Sequence, residues 1–208
     1  MAPRDETSAT LHHTISLHGG NDASLNIEIA QPINPSQILS KHPNSTQAFI
    51  QATTHRIQHE VKHSANWTCS CGRPGTEVIH SPMCWMGPDM PGPPYEYRIM
   101  DIAGVVCVDG GVCRENWMQY INGIASTTGI QDVHKVIKPY VKGPDPVNPI
   151  CGSCYVCKKV PESKLLKCNR CKLMRYCGAE CQKKDWVRHK GVCKFVEKVE
   201  PNKNVVFE

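Results

Sequence analysis

Between positions 154 and 193 the chain carries eight residues able to ligate a metal, in four pairs. Cys154/Cys157 and Cys168/Cys171 are C-x2-C, Cys177/Cys181 is C-x3-C, and His189/Cys193 is H-x3-C. A C-x2-C turn points two sulfurs into one hollow, and an i, i+4 pair on a helix projects from one face. Zn²⁺ in a structural site takes four protein ligands in a tetrahedron, so eight ligands make two closed sites with no open position for a substrate. A stretch of about 40 residues cannot bury enough apolar surface to fold alone. Ordering each residue costs roughly 1–2 kcal/mol of backbone entropy, whereas a structural zinc contributes on the order of 10–16 kcal/mol. Two zinc ions can therefore hold this segment, with Leu165, Leu166, Leu173, Met174, Tyr176, Trp186 and Val192 as a miniature core between them. Spacing leaves the pairing open: a sequential scheme would put the first two pairs on one ion and the last two on the other.

The same residues carry a family resemblance. The two C-x2-C knuckles, Tyr176-Cys177, Cys181-Gln182, Trp186 and His189-Lys190 before Cys193 resemble the MYND zinc finger. The resemblance covers about 40 of the 208 residues. It implies a cross-braced pairing, with Cys154, Cys157, Cys177 and Cys181 on zinc 1 and Cys168, Cys171, His189 and Cys193 on zinc 2. Gly178 departs from the serine frequent in that family and touches no ligand. Cys151/Cys154 is an alternative first knuckle, but the 10-residue gap from Cys157 to Cys168 suits the family better. The resemblance further implies a groove for short, often proline-containing peptides of partner proteins, frequently transcriptional regulators or chromatin factors. Trp67, the cysteine turn after it and Val106-Cys107 also loosely resemble the stretch that precedes MYND fingers in some fungal proteins.

Thirteen cysteines, an odd number, argue against a fully paired disulfide framework. The start, MAPRDETSATLHH, has no apolar core of a secretory signal. No run of about 18 apolar residues exists. These features predict an intracellular protein of the nucleus and/or cytoplasm, with reduced thiols and no membrane association. The sequons at Asn44 and Asn66 are then fortuitous. Residues 1–150 carry 10 Lys+Arg against 13 Asp+Glu, and residues 151–208 carry 14 against 6.

Residues 1–44 are polar and expected to be mostly disordered, with one short strand over 24–30 (SLNIEIA), where apolar residues alternate. Residues 45–140 read as a small α+β region of unassigned role. Residues 45–64 have helical spacing, 76–80 and 95–108 strand character, and 114–126 helical spacing again. Residues 141–150, with three prolines, read as a linker. Residues 151–194 form the finger and 195–208 a tail. The expected fold is a small α+β protein: an N-terminal helix with a short antiparallel sheet, then a cross-braced two-zinc finger with two short helices near 178–184 and 185–194.

Three other features carry competing chemistry. His59-Glu60-Val61-Lys62-His63 matches H-E-x-x-H, in which two histidines on one helix face bind zinc and the glutamate acts as general base. Polar flanks, Lys62 between the histidines and His55 in the same spacing favour a solvated histidine-rich face over a metalloprotease. Cys69, Cys71, Cys107 and Cys113 could make a third, irregular zinc site, with Cys84 or His80 in reserve. Buried or free thiols are the expectation there. Lys183, Lys184, Arg188, Lys190 and Lys194 could serve nucleic acid, but no stacking aromatic accompanies them, and a solvated helix face or a rim for an acidic partner is preferred. No signature of a SET methyltransferase domain is found. The chain is thus read as a zinc-binding protein–protein interaction factor and not an enzyme.

Overall fold

The computed structural model describes residues 9–35, 43–85, 97–107, 111–127, 150–160 and 164–205. Of the linker expected over 141–150, residues 141–149 lie outside them. Strand β1 (Ala9–His18) and β2 (Ser24–Ile33) are followed by helix α1 (Pro43–Lys62), β3 (Glu77–Trp85), β4 (Tyr97–Val106) and α2 (Gly111–Thr127). The finger contributes β5 (Leu166–Lys167), β6 (Arg175–Tyr176) and α3 (Ala179–Cys193), and β7 (Val196–Pro201) closes the order.

Five strands form one sheet in the order β3-β4-β1-β2-β7. The β1/β4 pair is parallel and the other three are antiparallel. The sheet is therefore mixed, not antiparallel as expected. Parallel neighbours need a long crossover, and α1 with β3 supplies it.

The N-terminal region departs most from expectation. Residues 9–18 and 24–33 are long paired strands, and β1 is central in the sheet. β1 does alternate: Leu11, His13, Ile15 and Leu17 are buried, and the residues between face outward. A histidine at a core position obscures that period in sequence. His13 is tolerated because Asp101 of β4 lies on the same face, 3.9 Å away, while His80 Nδ1 of β3 is 2.6 Å from Asp101 Oδ2. Burial pushes the Asp101 carboxyl up, but the charge and hydrogen bond of His80, with His13 close by, outweigh it and hold Asp101 well below the usual carboxylate range. The β1–β2 turn places Asn21 and Asp22 at φ 56° and 55°, a conformation their short polar side chains tolerate.

The two faces are covered differently. On the face of Leu11, Ile15 and Leu17, α1 and the finger share one buried core that joins Ile15, Leu25, Ile27, Ile57, Val61 and Trp67 to Leu165, Leu173, Met174, Tyr176 and Val192. On the other face α2 lays Trp117 against Gly104, where an added Cβ would come within 2.3 Å of the indole. The residues after the finger are β7, an edge strand on β2. Asn202 then ties it to the β1–β2 turn, accepting from the Ser24 N–H and donating to the Asp22 carbonyl. The final helix is one continuous segment instead of two, and it begins after Cys177, so Cys177 is delivered by β6 and not by a helix turn.

Candidate metal centres

The first two cysteine pairs sit in knuckles of one geometry. The Cys154 N–H donates to the Lys159 carbonyl, the Lys158 N–H donates back to Cys154, and Lys158 has φ 64°. In the second knuckle the Cys168 N–H donates to Met174, the Lys172 N–H donates to Cys168, and Lys172 has φ 58°. The left-handed residue after the second cysteine turns the chain so that both sulfurs face one point. Each knuckle also stabilises thiolate. Burial alone would raise Cys154 and Cys168, yet the backbone N–H groups after them, with neighbouring side chains, bring each down to about 7.

The structure brings Cys154, Cys157, Cys177 and Cys181 together, and separately Cys168, Cys171, His189 and Cys193, with the ligand atoms of each group within 4.8 Å of one another. Sulfurs about 2.3 Å from a central zinc lie about 3.8 Å apart at tetrahedral angles. The Cys168–Cys193 separation is 3.7 Å, Cys157–Cys177 is 3.4 Å, and Cys171 Sγ to His189 Nε2 is 3.5 Å. Cys151 joins neither group. It is buried in the core and its thiol is pushed up to about 12 by that burial.

The H-E-x-x-H segment is not a solvated face. Glu60 is fully buried, and its Oε1 lies 3.1 Å from His189 Nδ1 and accepts from Arg188 at 2.8 Å. Donation from Nδ1–H to Glu60 leaves Nε2 free to ligate, the carboxylate–histidine–metal arrangement that fixes tautomer and ring orientation. Arg188 makes two further bonds to Asp185, each 2.7 Å, and Asp185 accepts from the Tyr176 hydroxyl at 2.7 Å. His63 is buried beside the Tyr155 ring. Burial first, then the Lys62 and His59 charges, lower it to about 3. His59 lies tilted against the same ring, with centroids 5.0 Å apart, and His55 is exposed. Among the described residues, neither His59 nor His63 belongs to a group of three potential ligands. Sequence reasoning missed the role of Glu60 because it arises across 129 positions; a carboxylate buried without a local partner is the structural signal.

The basic residues of the last helix are likewise unequal. Arg188 lies in the network just described and over the Tyr155 ring at 4.3 Å. Lys183 pairs with Glu180 at 3.0 Å on the surface, and Lys194 sits over Phe195. Two members of the expected miniature core are outside it: Leu166 is 60% exposed and Trp186 is 41% exposed.

Residues 154–193 match the family model of the MYND finger. This segment is a MYND finger. It is a zinc-binding protein-interaction module, here with its cysteine and histidine groups converged. The chain is 38% identical over 52 residues to the histone-lysine N-methyltransferase SMYD3 of Homo sapiens, covering 25% of this chain and 11% of that protein. It is 42% identical over 60 residues to the N-lysine methyltransferase SMYD2-B of Danio rerio, covering 27% and 13%. It is 46% identical over 48 residues to the dauer abnormal formation protein 25 of Caenorhabditis elegans, covering 23% and 12%. The chain thus spans about an eighth of the length of these relatives, and the likeness to methyltransferases is confined to the finger. No solved structure matches the chain. Among the described residues no helix is long and apolar enough to cross a membrane.

Proposed function

We propose that this chain is a zinc-dependent protein-interaction factor whose MYND finger docks short, proline-containing peptides of partner proteins, such as transcriptional or chromatin regulators, in the nucleus or cytoplasm. Its two finger zincs are structural: Cys154, Cys157, Cys177 and Cys181 hold one, and Cys168, Cys171, His189 and Cys193 hold the other. With every position taken by protein, neither ion offers a place for substrate, so the finger acts by binding and not by catalysis. Glu60 serves the finger as a hydrogen-bond partner of His189, which argues against a peptidase role for His59-Glu60-x-x-His63.

The observation that carries the reading is the exposure of Trp186. Its helix is fastened by Cys181, His189 and Cys193 on one side, yet it presents an indole to solvent one turn after Gln182. Aromatic-lined surfaces are what proline-containing peptides in extended conformation recognise, and tryptophan is among the residues enriched at the hot spots of interfaces. Nucleic acid is a poorer fit, because Arg188 is committed to Glu60 and Asp185. The test is a pull-down from cell extract, read by mass spectrometry, with wild-type chain, Trp186→Ala and Cys177→Ser. Proline-containing peptides from the captured proteins are then titrated directly. Trp186→Ala should keep its zinc and bind such peptides at least 30-fold more weakly, from a loss of about 2 kcal/mol or more. Equal affinity in wild type and Trp186→Ala would refute the assignment.

A further inference from the structure

The structure gathers four more sulfurs that the finger does not use. Cys69 and Cys71 lie in the α1–β3 connection, Cys107 directly follows β4, and Cys113 is in the first turn of α2. Their Sγ atoms all fall within 4.8 Å of one another, with Cys71–Cys107 at 3.7 Å and Cys107–Cys113 at 4.0 Å. Those two separations bracket the edge of about 3.8 Å that a zinc–thiolate tetrahedron requires. They are far from the roughly 2.0 Å of a disulfide.

Burial does not account for the convergence. Cys69 and Cys107 are buried, but Cys71 is exposed and Cys113 half-buried, so this is not a set of thiols acting as small core hydrophobes. Neither Cys84 nor His80 joins it: Cys84 packs near Leu11 and Ile50, and His80 is bonded to Asp101.

The backbone supplies an independent argument. The Cys69 N–H donates to the Arg73 carbonyl, the Gly72 N–H donates back to the Cys69 carbonyl, and Gly72, immediately after the second cysteine, has φ 84°. Both finger knuckles share all three features: a first cysteine N–H bonded forward, a return bond to its carbonyl, and a left-handed residue after the second cysteine. The Cys69 turn is such a knuckle shortened by one residue. The bridge between Thr68 and Pro74 closes it.

We propose that Cys69, Cys71, Cys107 and Cys113 bind a third structural zinc ion, held by four thiolates. The site is closed, so its role is to fasten. It joins the loop after α1 to the end of β4 and to the first turn of α2. Cys113 and Trp117 are four residues apart on α2 and share a face. The ion therefore fixes the turn that lays Trp117 on Gly104, and it docks α2 on the sheet face that the finger leaves uncovered.

The test uses the full chain, expressed with zinc and purified without chelator, with zinc and iron counted by elemental analysis. Wild type should contain three zincs per chain and no iron. Cys71→Ser/Cys113→Ser should contain two, and should still lose peptide binding on Trp186→Ala, which separates this site from the finger. Two zincs in wild type, or iron in place of the third, would overturn the proposal. Should the double serine variant not fold, Cys71→His and Cys113→His supply a second reading, since histidine keeps ligation. Each should retain three metals while its cobalt-substituted form loses part of the thiolate charge-transfer absorption. A cobalt spectrum identical to wild type would also overturn it.

Discussion

Replacing Glu60 tests whether the H-E-x-x-H segment serves the finger. In Glu60→Ala the His189 imidazole loses the acceptor that holds Nδ1–H at 3.1 Å and directs Nε2 toward Cys171. Removing such an outer partner typically weakens metal binding 10–100-fold, about 1.4–2.7 kcal/mol. A second cost comes from Arg188, which loses one of its two carboxylate partners. That cost is modest, because Arg188 keeps both bonds to Asp185 and its side chain is 30% exposed. The effect should therefore fall near the metal term and not reach the 3–5 kcal/mol of a fully orphaned buried charge. Glu60→Gln preserves an oxygen for Nδ1–H and should lie between Ala and wild type. The assay is a chelator competition that follows zinc release with a metallochromic dye. One finger ion per chain, the one proposed at Cys168, Cys171, His189 and Cys193, should leave at 10–100-fold lower chelator in Glu60→Ala, while the other finger ion leaves as in wild type. Release curves identical to wild type would refute the reasoning, as would equal weakening of both finger ions.

Other outcomes follow from the same structure. His63 titrates near 6.5 in the unfolded chain and at about 3 when folded, so the unfolded state binds more protons between those values. Stability contributed by this group is complete above about pH 6.5 and falls as pH drops, by about 2 kcal/mol at pH 5; denaturant titrations at pH 7 and 5 should show that difference in wild type and a smaller one in His63→Leu. Gly104→Val should destabilise by about 1–3 kcal/mol, because its side chain enters the space of the Trp117 indole. Thermal unfolding followed by tryptophan fluorescence reads this, and an unchanged melting temperature would show that α2 is not docked there.

Local order was legible where neighbouring residues decide it. The C-x2-C turns make their own hydrogen bonds over five or six positions, and α1, β4 and α2 announce themselves by apolar spacing. Residues 24–30 of β2 were legible by their alternation, but β1 was not, since a polar stretch with His13 in its core register depends on Asp101 beside it. Trp186 reads as core by type, yet Tyr176, Leu173 and Val192 fill that space and leave it outside.

Composition and spacing by themselves determined that this chain binds zinc near its end, because ligand type and short-range geometry are local properties. Tertiary structure alone decided that Glu60 meets His189 and that Cys69 and Cys71 meet Cys107 and Cys113. It also decided that the residues after the finger return to the sheet. Those pairings span 36 to 178 positions, and no local preference encodes them. They follow from tertiary packing, which brings a carboxylate from a helix, and sulfurs from two connections and a helix turn, to where the chain's own spacing could not place them.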